Sequence, residues 1–140
     1  MEDLNYKLLK ISLKEFAIID APSIISEGAE ISINVGCKFA LDKTQHNVLC
    51  TLNVEYRLLQ MPLLKALIEV VFNLTSCSYD KLKEGDKIVM PQPLLLSFAS
   101  TSYSTLRGIL FAKTEDTIFN TLYLPLIDMS NIVKSDLSFT

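Results

Sequence analysis

The chain has 140 residues, enough for one domain with its own core, and at this size roughly 68% of the unfolded surface is buried without help from a metal or disulfide. A net charge of −3, with 13 Lys and Arg scattered along the chain, excludes the basic footprint of a nucleic-acid binder. A hydrophobic share of 49% against 21% charged residues leaves apolar surface in excess, so an interface or an open groove is expected.

The opening stretch, MEDLNYKLLKISLKEF, is acidic at once and has no apolar h-region. No signal peptide is expected, and a cytoplasmic chain follows. No run approaches the ~20 apolar residues of a membrane span, so no membrane insertion is expected. Tyr6 to Ile19 alternates with period two: Leu9, Ile11 and Leu13 share one face, and Lys10, Ser12 and Lys14 the other. The register then shifts to Phe16 and Ile18, which predicts a bulge near Glu15. APSIISEGA, with Pro22 and Gly28, reads as a loop.

Three further strands follow. Ile31, Ile33, Val35, Cys37, Phe39 and Leu41 point one way in the first. Cys50, Leu52, Val54, Tyr56 and Leu58 do so in the second, and Ala66, Ile68, Val70, Phe72 and Leu74 in the third. Short turns between them predict antiparallel pairing with one wet face. Strands of about 12 to 15 residues are long against the usual ~5–6, and long edges have to be covered or paired. Self-association through an edge or a sheet face is therefore expected.

CSYDKLKEGDKIVM is polar, contains Gly85 and reads as a connector. Pro91 and Pro93 stand where a helix can begin. From there Leu94, Leu95, Phe98, Ser102, Leu106, Ile109 and Leu110 recur at helical spacing, over about 20 residues or ~30 Å. Ala99, Ser102 and Ser104 are small and allow a close approach to another backbone. A polar side made of Ser, Thr and Tyr with few charges points to a second buried face. TEDTIF is a turn, Pro125 stops regular structure, and Asp128 or Ser130 can cap a short last helix.

Catalytic chemistry has no constellation to stand on. His46 is the one histidine and lies in a polar turn, where solvent exposure is expected. Cys37 and Cys50 fall on the inward side of neighbouring strands, so they can approach each other as core packing; Cys77 makes the count odd, and no CxxC spacing exists. Asp80, Glu84 and Asp86 lack the order of a calcium loop, and the four glycines form no phosphate loop. The Asn73 glycosylation pattern falls within a strand. No enzyme activity, metal or cofactor is expected. Arg107, inside the apolar helical pattern, reads either as a surface residue paired with Glu115 or Asp116, or as an anchor tying the helix to the following loop or to a partner subunit.

Four long antiparallel strands, a connector, one long helix, a proline-bearing loop and a short C-terminal helix make an α+β order over residues 1–140. That order resembles the SecB family of export chaperones and their toxin–antitoxin relatives. The family carries a Phe-Pro-Tyr-Ala-Arg stretch in its long helix. TSYSTLRG gives Tyr103 and Arg107 in similar order, though at a different spacing. Leu124, Pro125, Leu126, Ile127, Asp128 and Met129, then Ile132 and Val133, resemble the family's proline loop and final apolar positions. YKLLKISLKEFAIIDAP resembles its opening strand, and the likeness runs from about Tyr6 to Val133. AKTEDTIFNT replaces the family's Arg-Gly-rich turn, and Leu126 stands at its second proline. The chain stops at KSDLSFT, where the family has a basic zinc-contacting tail for the SecA motor. A divergent, solitary or antitoxin-associated relative is thus a better fit than a housekeeping export factor.

The resemblance implies an ATP-independent holdase that binds unfolded or non-native polypeptides in an apolar groove, in protein export or antitoxin protection. It also implies a homo-oligomer, a dimer or tetramer, with SecA or an antitoxin as possible partners. The groove walls expected are Leu52, Val54, Phe72, Leu74, Tyr103, Leu122, Leu124, Leu126 and Ile127, with Arg107 as helix–loop or interface anchor. The alternative on the same fold is a specific interaction module, antitoxin-associated or immunity-type. A small-molecule or lipid binder is less favoured, because few polar groups converge inside the apolar pattern.

Overall fold

The period-two stretches form one antiparallel sheet in the computed structural model, which describes residues 4–20, 31–122 and 124–140. The expected loop with Pro22 and Gly28 lies outside the described residues. The sheet contains β1 (Tyr6–Ile18), β2 (Ile31–Asp42), β3 (Asn47–Leu58) and β4 (Met61–Leu74), in the order β1-β4-β3-β2. β2, β3 and β4 are a meander; β1 pairs with β4 and occupies the far edge. Chain order therefore does not give neighbour order: the first two strands are the two edges.

Register fixes the inner face. Val48, Cys50, Leu52, Val54 and Tyr56 of β3 stand opposite Phe72, Val70, Ile68, Ala66 and Leu64 of β4. On β2 the same side carries Ile33, Val35, Cys37, Phe39 and Leu41. On β1 it carries Tyr6, Leu8, Ile11, Leu13, Phe16 and Ile18. The bulge near Glu15 is present between Leu13 and Glu15, and a second one lies between Leu8 and Lys10. That second bulge moves Leu9 out of the inner row, because an extra residue flips the alternation.

The connector is more ordered than its polarity suggests. It forms α1 (Ser76–Lys81), capped by the Thr75 hydroxyl, which accepts from the Ser78 amide. The strands β5 (Lys83–Glu84) and β6 (Lys87–Met90) follow, turning at Gly85 with φ +61°, a conformation that glycine adopts without strain. A C-terminal strand, β7 (Leu137–Phe139), pairs with β6 and completes a second, three-stranded sheet. Sequence reading missed this sheet because its strands are too short to show a period.

α2 (Gln92–Lys113) begins behind Pro91 and has 22 residues. Leu94, Leu95, Phe98, Ala99, Ser102, Tyr103, Leu106 and Leu110 are buried. Ala99 and Ser102 have no side-chain bulk to hold the helix off the sheet, and both are 0% exposed. At its N-terminal half Phe98 stacks on Phe72, with ring centroids 4.3 Å apart and Tyr6 edge-on to both. The outward side, with Ser97, Ser100, Thr101 and Ser104, is exposed.

The expected last helix is a single 3-10 turn, Met129–Asn131, with Asp128 as its cap. His46 is half-buried instead of solvated: its ring stacks on Tyr79 at 4.0 Å. Cys37 and Cys50 do approach each other, with sulfurs 3.8 Å apart. The contact with Cys50 and then burial hold the Cys37 thiol well above its usual range.

Candidate functional site

One helix cannot roof four strands. α2 lies over β3 and β4, the two central strands, and seals their inner side chains. The inner row of β1 stays open: Leu8 is 47% exposed and Ile11 43%. The inner row of β2 is half-buried. The apolar face of the sheet is thus wider than its cover, with bare apolar surface along β1 and a half-covered strip along β2.

The second feature is a seam between α2 and the segment that follows it. The helix stops at Thr114, whose buried hydroxyl donates to the Leu110 carbonyl at 2.7 Å. Asp116, at φ +64°, turns the chain. Thr117 caps a 3-10 turn, Ile118–Thr121, by accepting from the Phe119 amide. Asn120 Nδ2 donates back to the Phe111 carbonyl at 2.8 Å. Phe119 is buried edge-on to Tyr56. Two phenols then hold the returning chain: Tyr56 donates to the Leu122 carbonyl at 3.1 Å, and Tyr103 to the Pro125 carbonyl at 2.7 Å. Further on, Gln92 Nε2 donates to the Val133 carbonyl at 3.0 Å, and the Asp136 carboxylate accepts from the Gln92 amide at 2.7 Å. The segment is tied down at both ends of the helix.

Burial, with a smaller contribution from Tyr103, pushes the Tyr56 phenol up to about 12. Burial also raises Tyr103, against a lowering influence from the Arg107 charge. Both phenols therefore remain protonated donors near neutrality. Between α2 and the segment lies a cavity of about 330 Å³, lined among others by Tyr56, Arg107, Leu110, Phe111, Phe119 and Leu124.

The expected groove walls divide into three groups. Leu52, Val54, Phe72 and Leu74 are at most 2% exposed beneath α2, so they are core and not walls. Their strands are central in the sheet, and alternation alone does not reveal which strands a helix will cover. Tyr103 and Leu124 are buried at the seam, while Leu122 and Ile127 are half-buried beside it. Leu126 is 85% exposed. Arg107 is half-buried at the cavity, and among the described residues it makes no ion pair with Glu115 or Asp116, both of which are exposed. Ile11 and Leu13 of the β1 row share a face in the sequence reading too; that this row lies open is decided by the structure.

Among the described residues no group of three or more His, Cys, Asp or Glu is placed to hold a metal ion. No helix among them is long and apolar enough to cross a membrane.

No family model and no curated protein matches the chain. Among solved structures, the Mycobacterium tuberculosis Rv1957 SecB-like chaperone, in complex with a ChAD peptide from the Rv1956 HigA1 antitoxin, superposes with a TM-score of 0.56. The match covers 87% of this chain and 90% of that one, at 12% identity. The fold is SecB-like. A Streptococcus agalactiae protein of unknown function aligns more loosely, with a TM-score of 0.39 at 6% identity over 81% of this chain and 90% of that one. Within the SecB-like fold, the four-stranded sheet, the long helix and the proline segment agree with the order read from the sequence. At 12% identity the likeness is one of fold, and the site stands on its own geometry.

Proposed function

We propose that this chain is an ATP-independent holdase whose single helix leaves apolar strips uncovered, one for a second copy of the chain and the other for non-native polypeptides. The observation that carries the reading is the mismatch between a wide apolar sheet face and a narrow roof, with Tyr6, Leu8, Ile11 and Leu13 between 37% and 47% exposed. A row of this kind is costly to leave in water, at roughly 25 cal/mol per Å². The β1 edge, with its unpaired backbone groups, takes a second copy of the chain in this reading, giving a dimer or tetramer. The half-covered β2 strip and the α2 seam then remain for the client. Extended clients bury apolar side chains there and add backbone hydrogen bonds at the sheet edge. Selectivity is low, since buried area dominates over any hydrogen-bond code. The unfolded client is held by mass action, with no covalent step.

The test is suppression of aggregation. A denatured model enzyme, diluted into buffer with a several-fold molar excess of this protein and no nucleotide, stays clear by light scattering. Undiminished turbidity overturns the holdase reading.

A second reading is a module dedicated to one partner. It is favoured by the SecB-like neighbour's complex with an antitoxin peptide. In that case the protein captures one partner reproducibly and leaves denatured model clients to aggregate. Both readings place the protein in the cytoplasm and give it no chemistry of its own.

A further inference from the structure

We infer that the α2 seam cavity seats an apolar side chain of an extended peptide, and that Arg107 pairs with an Asp or Glu side chain next to it in the same peptide. This rests on the polypeptide-binding reading above and adds what the peptide has to carry.

The size of the cavity comes first. About 330 Å³ is at the low end of the ~300–1,000 Å³ typical of ligand pockets, so it suits one or two side chains and not a large cofactor. Its walls are mostly apolar: Leu110, Phe111, Phe119, Leu124 and the Tyr56 ring. One cation stands among the lining residues. Arg107 is half-buried there, and the ion pairs among the described residues join Arg57 and Lys65 to Glu55 and Lys83 to Asp80, leaving Arg107 out. Arg107 thus brings a positive charge to the cavity with no carboxylate partner among the described residues, and that charge is open to one from outside. Its planar fork fits a carboxylate with two parallel bonds, and the apolar walls strengthen the attraction.

The nature of the carboxylate follows from the backbone. Terminal carboxylates are captured by nests of free backbone N–H groups. Here the amides of Phe119, Asn120 and Leu122 already donate to the Thr117 hydroxyl, the Thr117 carbonyl and the Phe119 carbonyl. With these three amides engaged, the turn offers Arg107 and not a backbone nest as the carboxylate's partner, and a side-chain carboxylate within the peptide is the one inferred. The net charge of −3 repels acidic peptides in general, so a preference for one has to arise locally.

The test uses fluorescence anisotropy with the full chain and two labelled nonapeptides, Gly-Ser-Gly-Leu-Phe-Asp-Gly-Ser-Gly and its Asn analogue. The Asp peptide binds about fivefold tighter at low salt, and molar salt removes the difference. Arg107→Gln makes the two peptides equal, and Arg107→Lys keeps part of the preference. The peptide substitution leaves the protein untouched, so the comparison does not depend on how any variant folds. Equal binding of both peptides, with aggregation suppression intact, overturns the Arg107 pairing and leaves the holdase reading standing. Suppression without binding of either peptide overturns the cavity as the seat. Loss of both binding and suppression in the wild-type protein overturns the functional reading, and this inference with it.

Discussion

The Tyr103 hydroxyl donates a 2.7 Å hydrogen bond to the carbonyl of Pro125, joining the middle of α2 to a segment 22 residues further along the chain. The ring is buried, while Pro125 is exposed. The bond thus lies at the boundary between core and surface, where it decides whether the proline segment follows the helix or leaves it. Tyr103→Phe removes the donor and keeps the packing. A loss of about 1 kcal/mol in urea unfolding is expected. Amide exchange in the segment around Ile127 becomes faster. Unchanged exchange there means packing alone holds the segment.

Tyr56 makes the fold sensitive to alkali. Its folded-state value is raised from 10.0 to about 12, so the neutral phenol is favoured by the fold. The sign is that of a raised group: the contribution is complete below pH 10 and is lost as pH rises towards about 12. Chemical denaturation followed through that window shows a fall in stability. The fall is smaller in Tyr56→Phe, which has no proton to lose. A variant as alkali-sensitive as the wild type excludes Tyr56 as the source.

Leu52 separates core from groove. It is 0% exposed under α2, so Leu52→Ala costs about 2–5 kcal/mol through lost burial and a cavity. Client affinity per folded molecule stays unchanged, because the side chain reaches no surface. Phe98→Ala is expected at about 3–5 kcal/mol, since the Phe72 stack and the Tyr6 edge contact both lose their partner. A Leu52→Ala protein that is stable yet fails to hold clients returns that residue to the groove.

β1 carries the assembly prediction. Ile11 and Leu13 are 43% and 37% exposed in a single chain. Replacing both by Lys therefore alters the fold little and places charge on the open row. Light scattering gives an oligomer for the wild type and a monomer for the double variant, with circular dichroism unchanged. Equal masses would show that self-association, where it occurs, uses another surface.

The three thiols are expected to differ in rate. Cys77 is exposed, Cys50 is buried, and Cys37 is half-buried with its proton held by the Cys50 contact and by burial. Thiolate is the reactive species, so a disulfide-exchange reagent titrates one thiol quickly and the other two only as the protein opens. Three fast thiols would mean that the β2 side of the sheet opens readily.

Much of the fold was legible because period two and period 3.6 are local properties. The inward rows of β2, β3 and β4 and the start of α2 behind Pro91 were readable from spacing alone. The bulge near Glu15 was readable too, since it breaks the alternation within a few residues. The β5–β6–β7 sheet was not readable. Two of its strands have two and three residues, and β7 finds its partner almost fifty positions back in the chain. The site was legible as a segment but not as a geometry: Tyr103, Leu122 and Leu124 do come together, whereas Phe111, Phe119 and Asn120 joined them only through the turn at Asp116.

The sequence by itself determined which side chains share a face, because alternation and helical spacing are set by backbone geometry within each element. Its composition also set the expectation of apolar surface in excess. Tertiary structure alone decided strand order, and with it which faces were covered. β1 crossed to the outside of β4, β3 and β4 became the centre, and α2 settled over them. That choice turned Leu52, Val54, Phe72 and Leu74 into core and left Tyr6, Leu8, Ile11 and Leu13 in the open. The reason is physical: pairing between strands and docking of a helix depend on contacts between residues far apart in sequence, and no local periodicity records which of those contacts win.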